Sequence, residues 1–493
     1  MIDTVSEPTG TDGAPRPVRP VPWLALAAVV AALAPLRAGL GPIRDIDVYW
    51  HLLVGREILS GVPISEAGRG WSMAPVADTW VSAQWLAEIV LAKLEAIGGL
   101  QALLVYRVVM IVAALAVLGA VTLVRRPVRP GVLAFTLGAL MLSITVQERS
   151  QQLTFVLASL VGWWAERLWR QGRLPRWWLV LPLVVVWSNW HGGWVILPVA
   201  LVLAGLARLL DHGLRDRVAW QSALLAAGCF LAACISPTGI ANALALVRFS
   251  SSTSLILEWQ PVTFWDWTSI AFVPLLLALV LSWARGRVRP TRGELLLVLA
   301  LIAFGTLAWR NLAPATLMLA PITVGVISRA IGEDDPTPAL PRPPLWRTTW
   351  AAGAVGLVVG LVLALTQTPV VDTDVPLPLL ARLHDASAPQ RVLNTYNVSG
   401  PLLWFAGPPP HVLVGIDGRA DRYGGDYVRR YQSGLLGARP GWQSLYDELK
   451  PTAALLAKDE ALAGVLVSEK GWIEVAHDGG YVLLRSPDAP GWS

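Results

Sequence analysis

The chain has 493 residues, 54% of them hydrophobic and only 15% charged, with a mean hydropathy of +0.54. Soluble domains carry roughly 25% charged residues, so the composition excludes an ordinary water-soluble enzyme and calls for a lipid-embedded body. The formal charge of +5 is carried mostly by Arg in short clusters between apolar runs, a pattern that sets membrane orientation and speaks against a nucleic-acid partner.

Residues 1–20 are polar and rich in Pro and Gly, and read as a disordered tail with no cleavable signal. About eleven apolar runs follow that approach the roughly 20 residues needed for a helical span: 21–41, 100–123, 131–146, 152–168, 177–190, 193–210, 218–236, 269–284, 294–309, 311–330 and 349–368. Trp80–Ile97 carries Glu88, Lys93 and Glu95 and reads as an amphipathic helix at the interface. Cys229 and Cys234 share one apolar run, without the companion ligands a metal site needs.

Arg clusters at Arg16/Arg19, Arg125/Arg126/Arg129, Arg170/Arg173/Arg176, Arg208/Arg215/Arg217, Arg285/Arg287/Arg289/Arg292 and Arg342/Arg347 alternate with Arg-poor connections. Positive residues mark the cytoplasmic side. The N-terminus is then inside, and the polar stretch Arg44–Glu88 within a first outer loop 42–99 is outside. Residues 331–348 form a Pro- and acid-rich inner linker. The part from 372 to 493 is also outside. Its short apolar runs (Arg391–Val398, His411–Ile416, Ala453–Ala457, Gly471–Ala476, Tyr481–Arg485) and its helical stretches Tyr427–Leu436 and Trp442–Leu449 predict a small α/β domain. The expected fold is an α-helical polytopic membrane protein, 21–368, with that extracytoplasmic domain attached.

Polar residues gather in the outer connections. Asp45 and Asp47 share a face of extended chain, with His51 one helical turn on. They fit a divalent-cation site for Mg or Mn, a base with an orienting partner, or simply a helix start with Asp47 as N-cap. Glu148, Arg149 and Gln151 form a dense knot, in which Arg149 is either a phosphate clamp or the partner of Glu148. His191 precedes Gly192 and Gly193, which permit close approach of a ligand. Glu258 with Trp259, and Arg310 in a tight turn, complete the set. Arg310 needs an anionic partner: Glu148, Glu258 or a lipid phosphate. The runs 131–146, 177–190 and 294–309 are short, so their outer tips are expected to sit low and to enclose a recessed pocket. In the last domain, Asp417 and Arg419 either line a crevice after a strand or form a buried turn. Asn397-Val398-Ser399 matches a glycosylation sequon by pattern alone.

The run D-x-D-x-x-x-H-L-x-x-G-R-x-I-L-x-x-G-x-P at Asp45–Pro63, continued by W-V-x-x-x-W-L at Trp80–Leu86, resembles the first outer loop of bacterial GT-C type integral membrane glycosyltransferases. Ser188-Asn-Trp-His-Gly-Gly, Ser236-Pro-Thr-Gly, Glu258-Trp259 and Asp417-Gly-Arg-Ala-Asp-Arg-Tyr-Gly are similar to further blocks of an uncharacterised branch of that group. Val48-Tyr49-Trp50-His51 departs conservatively from the Trp-Trp-His of many relatives. The resemblance implies a polyprenyl-phosphate-linked sugar as donor, Asp45 or Asp47 as catalytic base, and in some members a divalent metal. The expected activity is sugar transfer to an envelope glycan, lipid or protein acceptor at the outer face of the plasma membrane. His51, Glu148, Arg149, Gln151, His191, Glu258, Trp259, Arg310, Asp417 and Arg419 are the expected substrate contacts, with Trp50, Trp80 or Trp259 stacking on sugar. The rival is a non-catalytic scaffold that binds a lipid-linked glycan. A transporter fits less well, because its site would lie at mid-membrane on broken helices.

Overall fold

The computed structural model describes residues 22–76, 80, 82–124, 126–244, 257–263, 265–285, 289–332 and 343–492. The expected tail 1–20, most of the linker 331–348, Arg125, Arg287, and the 245–256 part of the Glu258 connection lie outside the described residues.

The chain is mostly helical. It runs through α1 (Pro22–Gly39), α2 (Val48–Leu59), α3 (Trp85–Thr122), α4 (Val128–Ile144), α5 (Gln152–Gln171), α6 (Trp177–Trp190), α7 (Ile196–His212) and α8 (Arg217–Ala233). The helices Phe272–Ala284, Arg292–Leu307, Leu312–Ile331 and Pro343–Thr366 follow. Among the described residues, Trp85–Thr122, Gly192–His212 and Trp309–Ile331 are long and apolar enough to cross a membrane. Others are apolar but shorter, α6 having 14 residues and Arg292–Leu307 having 16. Outward faces are apolar, as lipid contact requires: Trp23 is 73% exposed, Leu224 74% and Leu231 69%.

Local chemistry sets the helix ends. Asp216 caps α8 by accepting from the Ala219 N–H, and Thr291 caps the helix at Arg292 by accepting from that of Glu294. Gly172 closes α5 in the left-handed region. The expected amphipathic segment does not stand alone: α3 runs from Trp85 through Gly98 and Gly99, whose non-helical backbone kinks it, into the apolar run beyond. The paired glycines let a polar helix and a greasy one join end to end at an angle.

At the Arg-rich end, several arginines are paired. Glu166 holds Arg126 and Arg170, Arg208 pairs with Asp216, and Arg329 pairs with Glu294. The corresponding charges at the other end form the site.

Residues from Leu377 onward build a five-stranded sheet flanked by helices. In the order β2-β1-β3-β5-β4, the strands are β1 (Gln390–Asn394), β2 (Val412–Val414), β3 (Ala453–Ala457), β4 (Ile473–Asp478) and β5 (Tyr481–Arg485). The first three are mutually parallel, and β5 is antiparallel to β3 and β4. Helices Leu377–His384 and Ala461–Lys470, which the sequence pattern passes over, pack on it.

The early loop is sewn into this domain. Ile43 N–H donates to the Val370 carbonyl and Asp372 N–H to that of Ile43. Further along, Val414 N–H donates to the Trp71 carbonyl and Met73 N–H to that of Val414, extending the sheet edge at β2. Trp50, Leu53, Val54, Ala67 and Trp71 share one buried cluster with Leu379, Val392, Val412 and Leu483. Beneath it, α2 lies against α3 so closely that a Cβ on Gly55 would come within 2.1 Å of the Glu88 carbonyl. Gly55→Ala is expected to push α2 off α3 and cost about 1–3 kcal/mol, as overpacking generally does. A lowered unfolding midpoint of the detergent-solubilised protein would show it.

Candidate active site

Arg149 sits in the turn between α4 and α5. Its Nε donates to Asp45 Oδ2 at 2.6 Å, its Nη2 to Asp47 Oδ2 at 2.7 Å, and its Nη1 to Glu258 Oε1 at 2.9 Å. Three carboxylates from two distant connections thus converge on one guanidinium. Asp45 is fully engaged, since its Oδ1 accepts from the Asp47 N–H at 3.0 Å. Asp47 does stand at the N-cap position of α2, but its side chain makes no cap hydrogen bond and turns to Arg149 instead. Burial lifts the Asp47 carboxyl above its ordinary value, against the pull of Arg149, and the Asp45 and Glu258 charges raise it further. Glu258 is held low, chiefly by Arg149.

Asp47 borders a cavity of 1180 Å³ between the helical body and the sheet domain. Asp45, His51, Arg149, Gln151, His191, Glu258, Trp259, Arg310 and Arg419 also line it. Glu148 and Asp417 lie behind the wall. Glu148 is buried and pairs with Arg107, which also donates to the carbonyls of Gly39 and Pro42. Asp417 accepts from Arg419 at 2.9 and 2.7 Å and from the Tyr423 hydroxyl at 2.6 Å. Arg419 reaches the cavity edge but is spent: its Nη1 donates to the Gly68 carbonyl at 2.7 Å, and its guanidinium lies over Trp71 and Trp80. This turn fastens the early loop to the last domain.

Arg310 is different. It occupies the tight turn Trp309–Asn311, stacks 4.5 Å over Trp259, and has no hydrogen-bond partner among the described residues. Its nearest anionic influence is Glu258, which is itself hydrogen-bonded to Arg149. His191 faces the same space. Its Nδ1 accepts from the Gly193 N–H at 2.9 Å, which puts the proton on Nε2. Burial and the nearby Arg310 charge push its pKa down to about 3, so it is a neutral donor at physiological pH. Gln151 bonds to Gln147 at 2.8 Å.

His51 rests on Trp50 with ring centroids 3.6 Å apart, and its Nδ1 lies 2.9 Å from Glu88 Oε1. Both residues are buried. The carboxylate holds one ring nitrogen of an imidazole that borders the cavity. Glu88 and Arg107 are the residues that sequence reasoning passed over as site builders. Arg107 had a signal: a lone Arg inside an apolar run needs a partner. Glu88 had none, since its place beside His51 depends on α2 crossing α3.

The donor set does not fit a divalent ion. Arg149 already supplies the positive charge that Asp45 and Asp47 share, both Asp45 oxygens are taken, and among the described residues no group of three His, Cys, Asp or Glu side chains is placed to hold a metal ion. Asp45 and Asp47, the expected Mg or Mn ligands, accept from Arg149 here.

No protein-family model matches the chain, nor does any curated protein sequence. Among solved structures, it is similar to ArnT from Cupriavidus metallidurans in the apo state, with a TM-score of 0.47 and 16% identity over 94% of this chain and 97% of that one. It is also similar to the same protein bound to undecaprenyl phosphate, with a TM-score of 0.49 and 13% identity over 95% and 99%.

Removing Arg149 would leave Asp45 buried and uncompensated. Arg149→Gln is expected to cost about 3 kcal/mol or more, read as a lowered unfolding midpoint. Adding Asp45→Asn is expected to restore part of it. An unchanged midpoint in the single variant would contradict the hub.

Proposed function

We propose that the protein is a membrane glycosyltransferase that moves a sugar from a polyprenyl-phosphate-linked donor to an acceptor hydroxyl, on the outer face of the plasma membrane of a bacterium. The observation that carries this reading is the pairing, across one cavity, of an anion-seeking Arg310 with an Arg149-held carboxylate, Asp47, whose proton affinity is raised. The sequence blocks around Asp45–Pro63 and Ser188–Gly193 point the same way.

The donor phosphate lies against Arg310, with the His191 Nε2–H as a second donor. Asp47 takes the proton of the acceptor hydroxyl while the hydroxyl oxygen bonds to the anomeric carbon. The carbon–oxygen bond to phosphate breaks, its electron pair stays on the phosphate, and Arg310 neutralises the charge that develops there. Asp45 and Glu258 hold Arg149, and through it the aim of Asp47. Trp259, fixed by Arg310, offers a flat face to the sugar.

Asp47→Asn is expected to lower turnover by at least 100-fold, within the range for loss of a general base, at an unchanged unfolding midpoint. Because Asp47 must be ionised and its pKa is raised, turnover is expected to fall on acidification at a higher pH than an ordinary carboxylate near 4 would give. Extracting lipids from the purified protein and identifying them by mass spectrometry is expected to yield an isoprenoid phosphate or its sugar adduct, lost in Arg310→Gln. Full turnover in Asp47→Asn would overturn the assignment. The saturation of Asp45 also suits a non-catalytic binder of lipid-linked glycans, and bound isoprenoid phosphate without turnover of any acceptor would favour that reading.

Gly418 bears on the same atom. A Cβ there would lie 2.4 Å from Asp47 Oδ1 and 2.5 Å from Trp50 Nε1. Gly418→Ala is thus expected to displace Asp47 and depress turnover while leaving lipid retention intact.

A further inference from the structure

His191 borders the cavity, but its state is set from behind the cavity wall. The residue ends α6, and its side chain turns back to cap the tight turn Gly192–Val195. Two groups meet its Nδ1: the Gly193 N–H at 2.9 Å and the Thr154 hydroxyl at 2.8 Å. Thr154 stands in the first turn of α5 and is buried. The indole Nε1 of Trp187, a buried residue of α6, lies 3.0 Å from Thr154 Oγ1.

Chemistry fixes the direction of this chain. An indole N–H and a backbone N–H can only donate. Trp187 therefore donates to Thr154 Oγ1, and Gly193 donates to His191 Nδ1. The Thr154 hydroxyl, having accepted from Trp187, keeps its own proton to give, and His191 Nδ1 is the acceptor it meets among the described residues. A proton on Nδ1 would instead face the Gly193 N–H, donor against donor, so the ring carries its proton on Nε2. The same clash disfavours the imidazolium, and Arg310, His51 and Arg149, the charged and titratable groups around this ring, oppose it further. Gly193 makes room for the arrangement. A Cβ there would lie 2.3 Å from Thr154 Oγ1 and 2.8 Å from His191 Nδ1.

We propose that Thr154, backed by Trp187, is a positioning residue that locks His191 in its Nε2–H form and so fixes it as a neutral hydrogen-bond donor to the phosphate of the lipid donor. This rests on reading the cavity as a glycosyl-transfer chamber with the phosphate against Arg310 and His191. A neutral donor beside Arg310 supports the charge that forms on phosphate, yet grips the departing monoester less tightly than a second cation would.

The test uses the full-length protein in lipid nanodiscs. Solid-state nitrogen NMR of protein labelled at its histidines reads which ring nitrogen is protonated, with the His191 resonances identified by their loss in His191→Gln. Binding of farnesyl phosphate is titrated in parallel. At neutral pH, wild-type His191 is expected to show a protonated Nε2 and an unprotonated, hydrogen-bonded Nδ1. Thr154→Val, which keeps the shape and removes the hydroxyl, is expected to move the Nδ1 resonance toward that of a weaker-bonded acceptor and to weaken farnesyl phosphate binding about fivefold, as loss of one hydrogen bond does. Thr154→Ser keeps the hydroxyl and is expected to match the wild type in both. A protonated Nδ1 in the wild type, an unchanged resonance or unchanged binding in Thr154→Val, or a Thr154→Ser that behaves like the Val variant would overturn the lock. The expected tautomer and its Thr154→Val shift, in a protein that binds no farnesyl phosphate, would leave the lock standing and sink the phosphate reading instead.

Discussion

One guanidinium carries more of this structure than any other group. Arg149 stands in a short turn between two helices, and a buried cation there is tolerable only if anions come to it. Asp45 and Asp47 come from the connection after α1, and Glu258 from the connection before the helix Phe272–Ala284. Satisfying Arg149 therefore fixes the relative position of three loops that have no other reason to meet. The same contact buries Asp47 and sets it beside two further carboxylates, and burial first, with the Asp45 and Glu258 charges behind it, raises its proton affinity. A structural demand and a chemical property thus meet at one buried cluster.

The second constraint is that the early loop belongs to two bodies at once. Gly55 brings α2 onto α3, setting His51 against Glu88. On its other side, Trp50 and Trp71 are buried in the core of the sheet domain, and Arg419 reaches across to the Gly68 carbonyl. Glu57 tightens the fold of the loop by accepting from the Gly68 N–H and the Trp71 indole. A cavity with one wall from each body stays registered because this loop is shared. Gly418, with no side chain, is what allows the two walls to close to contact at Asp47.

The residue types and apolar periodicity made much of this legible. The helices at 152–171, 177–190 and 312–331 follow apolar runs, and β3 and β5 coincide with short apolar stretches bounded by turn residues. The polar residues of the site were also visible, because Asp45, Arg149, His191 and Arg310 stand out against greasy surroundings. Their partners were not. Glu148 looked like the natural mate of Arg149 and instead serves Arg107, well inside α3. The helix Ala461–Lys470 escaped notice because its small apolar residues carry no clear amphipathic period.

What the sequence by itself determined is therefore the inventory and its rough placement: an apolar helical body, a distinct α/β tail, and the ionisable residues of the cavity gathered in connections. Those follow from the cost of burying charge in lipid and from local backbone preference, both of which act on near neighbours in the chain. Which carboxylate meets which arginine was decided only by the tertiary structure. Asp45 reaches Arg149 across a sequence separation of 104 residues, and Arg419 reaches Gly68 across 351. Pairings at that range depend on how helices cross and how two glycine contacts close, and no local pattern encodes that geometry.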